Sequence, residues 1–145
     1  MREIEFRGLV ADEPNEWVYG YLMPNNTIFQ NNEPTGKCCG IGMFSVVPES
    51  IGQYTGYRDI NGIKIYENDI VKENYGSRYY QVIYQENGFK LDPLMGDHFY
   101  SIWIKPKRLE VVGNSYTKGE QNDGRKQEDN NIFKRFCKRI WSFIR

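Results

Sequence analysis

Tyr54-Thr55-Gly56-Tyr57-Arg58-Asp59-Ile60-Asn61-Gly62-Ile63-Lys64-Ile65-Tyr66-Glu67-Asn68-Asp69-Ile70-Val71 is the stretch whose reading decides the fold. Asn61-Gly62 is a two-residue hairpin signal, because a type I′ turn needs positive φ at both central positions and these residues tolerate it. Ile63 and Ile65 alternate with Lys64 and Tyr66 as in a strand, which predicts that Ile63, Ile65 and Ile70 pack inward. Asn68-Asp69 offers a second turn before a short strand, Ile70-Val71-Lys72. The unit reads as turns and strands, not as a catalytic loop.

Outward from this stretch the same grammar recurs. Glu3-Ile4-Glu5-Phe6-Arg7 alternates at period two and stops at Gly8, and Glu16 to Leu22 places Trp17, Tyr19 and Tyr21 on one face of a second strand. Asp12-Glu13-Pro14-Asn15 and Pro24-Asn25-Asn26 have turn chemistry, Thr27 to Gln30 can pair back, and Ile41 to Val47 is strand-like until Pro48. Residues 31–40 read as a loop. Tyr79 to Gln85, Phe89 to Leu91, Tyr100 to Ile104 and Leu109 to Val112 add further strands, with a tight turn expected at Asn87-Gly88. About nine short strands and no helix before residue 130 predict a mainly β fold, a small barrel or sandwich.

A chain of 145 residues is the size of one main domain, and its 15% aromatic content with 14 Gly suits short strands joined by turns. The formal net charge is zero, which disfavours nonspecific duplex binding, yet the charge is unevenly placed. Residues 131–145 carry Lys134, Arg135, Lys138, Arg139 and Arg145 with no acid, while the other 130 residues hold 14 basic and 19 acidic side chains: a +5 tail on a −5 body. Three cysteines make no paired framework, no apolar run approaches the roughly 20 residues of a membrane span, and Met1 leads directly into Arg2-Glu3, so a reducing, cytoplasmic setting is expected.

The domain plan is then a β domain over 1–116, a flexible linker over 117–130 rich in Gly, Asn, Gln and charge, and a basic amphipathic helix over 131–145. Ile132, Phe136, Ile140 and Ile144 recur every four residues beside Phe133, Cys137 and Trp141, with Lys134, Arg135, Lys138 and Arg139 opposite. Phe133, Phe136, Ile140, Trp141 and Ile144 with these four cations form the candidate interaction surface. So short a helix is marginal alone in water and needs a partner surface. Docking on protein, either another copy or a host protein, is favoured because body and tail are oppositely charged; peripheral contact with an anionic membrane and nucleic-acid binding are the alternatives.

The opening stretch resembles the signature of the YopX family of phage and prophage proteins. The matching blocks are Tyr54-Thr55-Gly56, Asp59-Ile60-Asn61-Gly62 and Ile65-Tyr66-Glu67-Asn68-Asp69-Ile70-Val71, with Arg2 to Gly8, Trp17 to Leu22 and Leu109 to Asn114 also in order. The resemblance covers roughly residues 1–116. Where members often carry Gly this chain has Asn68, the next best residue for positive φ, so the turn should survive. The resemblance implies a small SH3-like barrel, roughly over residues 54–114, a phage or prophage setting in the bacterial cytoplasm, and no established reaction.

Chemical alternatives are weak at the level of residues. Glu67 and Asp69, with Asp59 nearby, would share a cation or a proton if they stood on one strand face; the plainer account gives Asp59 and Asp69 to turn hydrogen bonds and leaves Glu67 solvated. Cys38-Cys39, Cys137 and His98 lack metal-ligand spacing, and no serine lies in a nucleophile elbow nor any Gly-rich run in a phosphate loop. No catalytic residue, metal site or cofactor is expected. Trp17, Tyr19, Tyr21, Tyr54, Tyr57, Tyr79, Tyr80 and Tyr84 can stack bases or grip a peptide, but core packing should consume at least half of them. The function expected is a non-enzymatic, homo-oligomeric protein-interaction or assembly module, with modulation of a host factor as one role. A nucleic-acid-binding small barrel stands second and an enzyme of unknown reaction third.

Overall fold

The computed structural model describes residues 1–13, 15–30, 42–76, 78–94 and 102–116. Eleven strands are present among them: β1 Phe6–Leu9, β2 Trp17–Met23, β3 Thr27–Gln30, β4 Gly42–Ser45, β5 Gly52–Arg58, β6 Lys64–Tyr66, β7 Asp69–Glu73, β8 Tyr79–Gln85, β9 Gly88–Pro93, β10 Ile102–Trp103 and β11 Leu109–Asn114. They form two antiparallel sheets, one ordered β4-β3-β2-β1-β5-β6 and the other β10-β9-β8-β7-β11. The fold is mainly β, as the alternating sequence predicts. Among the described residues no helix is long and apolar enough to cross a membrane.

The expected SH3-like barrel over roughly 54–114 does not close. Strands β5 and β6 belong to the first sheet, and β7 to β11 make the second in open order. The cause is the turn at Glu67 and Asn68, which hands the chain from one sheet to the other, so that β7 pairs with β8 and β11 and not with β6. The linker expected over 117–130 and the helix over 131–145 lie outside the described residues.

Turn chemistry explains the hairpins, with two shifts of position. Asn68 has φ +69°, as required of it. The predicted tight turn at Asn87-Gly88 sits one residue earlier: Glu86 and Asn87 have positive φ and join Gln85 to its partner Gly88. Gly88 is held within β9 because its position lies against Trp103, where a Cβ would come within 2.7 Å of the indole. At Asn61-Gly62 only Gly62 takes positive φ, and Arg58 pairs with Lys64 across a five-residue loop. Ile63 therefore lies in the loop and is exposed, against expectation, whereas Ile65 and Ile70 are buried.

Each sheet has a core. Val18, Ile28 and Val46 are buried in the first with Phe6, Val10, Phe44 and Ile51 around them; Ile65, Val71, Tyr80, Val82, Leu91, Ile104 and Leu109 make the second. The first strand, expected over residues 3–7, runs through Gly8 to Leu9 because that glycine lets β1 approach Val46: a Cβ there would stand 2.8 Å from the valine Cβ. Gly8→Ala should overpack this core and lower the unfolding free energy by about 1–3 kcal/mol, measured by chemical denaturation.

Candidate functional site

The signature residues gather where the sheets meet, around an ion pair whose partners are far apart in sequence. Arg7 on β1 donates from Nη2 to Asp69 Oδ1 at 2.6 Å, and both side chains are buried. The guanidinium lies between aromatic rings, its Cζ 4.9 Å from the centre of Trp17 and 4.8 Å from that of Tyr66. Arg7 suits this slot because a planar, weakly hydrated cation stacks on rings while its edge reaches a carboxylate. The other oxygen of Asp69 accepts the Tyr66 backbone N–H at 2.8 Å, which closes the Glu67-Asn68 turn.

Asp59 performs a second junction. Its Oδ1 accepts the Asn61 and Ile63 amides at 2.8 and 2.9 Å, fixing the loop, and its Oδ2 accepts the Val111 amide of β11 at 2.9 Å. The Ile60 amide also donates to the Leu109 carbonyl. The loop after β5 is thereby tied to the last strand of the other sheet. Thr55 and Gly56 shape β5 itself: Gly56, at φ +87°, sits where the β5–β6 register shifts, and the Thr55 hydroxyl donates to the Ile65 carbonyl at 2.8 Å. A bulge of this kind explains an aromatic-Thr-Gly element.

At the rim, Lys64 Nζ donates to Glu3 at 2.5 Å and to Glu5 at 3.1 Å, and stands 5.0 Å from the centre of the Tyr54 ring. The Tyr66 hydroxyl donates to Glu5. Tyr54 and Tyr19 both pack on Tyr66, so Tyr19, Tyr54 and Tyr66 cover the ion pair. Burial, then the hydrogen bond to Glu5, pushes the Tyr66 hydroxyl well above the usual phenol range. For Lys64 burial works against the charged form, but its bonds to Glu3 and Glu5 outweigh it and its pKa rises.

The carboxylate-pair alternative finds no support in the geometry. Glu67 occupies the turn and Asp69 opens β7, so the two do not alternate along one strand face. Burial raises the Glu67 carboxyl, partly offset by the Gln53 backbone, so Glu67 is not simply solvated. Asp59 and Asp69 do serve turns, as the plainer account holds. Among the described residues no three His, Cys, Asp or Glu side chains are grouped to hold a metal ion. Cys38, Cys39, His98 and Cys137, and the tail surface of Phe133, Lys134, Arg135, Phe136, Lys138, Arg139, Ile140, Trp141 and Ile144, lie outside the described residues.

Burial pushes the Asp69 carboxyl up to about 6 against the pull of Arg7 and the Tyr66 amide. Folded Asp69 therefore retains a proton over a pH range in which the unfolded residue, titrating near 3.8, has lost it. The stabilising contribution is complete below the unfolded value and is lost as pH rises through about 6. Relative to Asp69→Asn, the unfolding free energy should fall by roughly 2 kcal/mol between pH 4 and pH 7, since one pKa unit is about 1.4 kcal/mol and the unfolded carboxyl is still partly protonated at pH 4. Denaturant titrations of both proteins across that range check it.

The aromatic strands divide as core packing demands. Tyr54, Tyr79 and Tyr80 are buried, Trp17 and Tyr19 are half-buried, and Tyr21, Tyr57 and Tyr84 are exposed. Tyr21, Phe29 and Met43 stand opposite one another on β2, β3 and β4, and Met23 follows Tyr21 on the same face. Residues 17–30 and 42–47 contain no charged side chain.

A comparison with curated proteins returns no match. A family model described as YopX protein matches residues 5–121, well over half of the chain. The matched span contains Arg7, Asp59 and Asp69 as well as the motif that joins the sheets, and on that match the chain belongs to the YopX family.

Proposed function

We propose that this YopX-family chain is a phage-type accessory protein that acts without catalysis, as a protein-association module whose first partner is a second copy of itself. The observation that carries this reading is the apolar face of the first sheet: Tyr21 is 59% exposed, Met23 43% and Met43 71%, in a row uninterrupted by charge. A contiguous apolar patch of this kind marks an interaction surface more than scattered exposed side chains do. The opposite charges of body and tail favour self-association and steer the encounter. Support for a non-catalytic role comes from the signature carboxylates, since Asp59 and Asp69 are engaged by backbone amides and Arg7.

Light scattering over a concentration series tests it. The full chain should weigh more than a monomer, and Tyr21→Lys with Met43→Lys should weaken association about tenfold or more, a loss of about 1.4 kcal/mol or greater. Both substitutions are on exposed positions, so the fold should be retained. A monomeric wild-type chain, or an unchanged mass distribution in the variant, overturns the proposal. Reversing Lys134, Arg135, Lys138 and Arg139 to Glu should slow association and reduce its salt dependence, because steering acts through these charges.

A further inference from the structure

At the far end of the second sheet the chain collects cations that its own acids leave unneutralised. Arg7, Lys64 and Lys90 each pair with a carboxylate. Arg78, Lys105, Lys107 and Arg108 are exposed and have no ion-pair partner among the described residues. They come from two segments that the fold brings together. The Asn74 amide donates to the Arg108 carbonyl at 2.7 Å, and the Glu73 amide to the Arg78 carbonyl at 3.0 Å, so the β7–β8 turn lies beside the short 3-10 turn Pro106–Arg108. The acids nearest in sequence are Glu73 and Glu110, and Glu110 lies across the ladder from Lys72.

Two of the most exposed aromatic side chains flank these cations in sequence. Tyr75, at the β7–β8 turn, is 83% exposed, and Trp103, two residues before Lys105, is 63% exposed. Buried Ile104 lies between Trp103 and Lys105, both of which are exposed. The indole is backed by Gly88 and by Lys90, whose Nζ lies 5.2 Å from the ring centre. An indole that is largely exposed yet held by its neighbours is a pre-organised stacking surface. Unpaired cations near exposed rings match a strand that offers both phosphates and unstacked bases.

We propose that Trp103, Lys105, Lys107, Arg108, Tyr75 and Arg78 form a binding site for single-stranded nucleic acid, with phosphates on the cations and bases stacked on the two rings. A duplex hides its base faces and gains nothing from Trp103 or Tyr75. An acidic peptide would use the cations but leave the rings unused. The site is separate from the apolar face of the first sheet and does not depend on its role.

The test is fluorescence anisotropy with the full chain and labelled oligothymidylate and oligouridylate of about 15 nucleotides, at several salt concentrations. Wild type should bind with a salt dependence, and Lys105→Glu with Lys107→Glu and Arg108→Glu should weaken binding at least about 100-fold and reduce the log–log salt slope by about 2. Trp103→Ala should weaken it about tenfold with the slope unchanged, and Trp103→Phe should recover most of the loss. Circular dichroism confirms that each variant is folded. No binding at low salt overturns the site, as does equal affinity across all variants, which would place binding elsewhere in the chain. Heparin bound as tightly as the oligonucleotides, with no loss in Trp103→Ala, would assign these cations to an acidic partner and overturn it too.

Discussion

Asp69→Ala should lower the unfolding free energy by about 3–5 kcal/mol near neutral pH, among the largest effects of any single substitution in the described chain. The loss is not a measure of what the ion pair adds. Desolvation raises the Asp69 carboxyl, so burying its charge already costs more than Arg7 and the Tyr66 amide return. The damage comes from what remains: Arg7, pinned between Trp17 and Tyr66, cannot shed its proton and faces the interior without a counter-ion. The Tyr66 amide also loses its acceptor, and the turn that passes the chain between sheets loosens.

Arg7→Ala should behave differently with pH. The stranded group is then a carboxyl, which escapes by binding a proton. Its penalty should be of similar size at pH 7 and shrink on acidification, while that of Asp69→Ala should not. Denaturant unfolding of the two variants at pH 5 and pH 7 separates them.

The second large effect should be Asp59→Ala, at about 2–4 kcal/mol, because three amides lose one charged acceptor and buried donors left unpaired cost about 1–3 kcal/mol each before water repairs the exposed ones. The Asn61 and Ile63 amides lie in a loop that water can reach, and the Val111 amide lies within the ladder of β7 and β11. Asp59→Asn should be milder in the loop and specific in its damage. It keeps an acceptor for Asn61 and Ile63 but turns an amide group toward the Val111 N–H, a donor facing a donor. Hydrogen exchange should show faster opening at Val111 in Asp59→Asn, with the protection of β2 and β3 unchanged.

Much of the fold was legible because turns and strands declare themselves locally. Alternation located most strands, Pro48 ended one, and Asn68 marked a residue at positive φ. Exact turn positions were less so. Asn87-Gly88 and Glu86-Asn87 differ by one residue, and what separates them is Trp103 lying over Gly88 from a strand 15 residues later. Asn61-Gly62 looked like a two-residue turn because nothing local reports that Asp59 will bond the loop from outside it.

The Arg7–Asp69 pair was the least legible feature. Polar residues at 3, 5 and 7 alternate as a solvent-facing edge would, whereas the structure covers that face at Arg7 with rings from β2 and β6. One signal was available. Trp17 and Tyr19 lie on one face of the neighbouring strand, and a guanidinium is the charged group best suited to pack between rings. Choosing Asp69 as its partner requires knowing that the sheets meet there, a long-range fact with no local trace.

The claim on which the account rests is that the signature carboxylates hold two sheets together. A double-mutant cycle tests it most directly: Arg7→Met, Asp69→Leu and the pair, each measured by denaturant unfolding at pH 7. Replacing both partners with apolar groups removes the stranded charge, so the double variant should recover much of the loss of either single one, with a coupling of about 2–3 kcal/mol. Additive losses, with a coupling below about 0.5 kcal/mol, would show that Arg7 and Asp69 act independently and would contradict it.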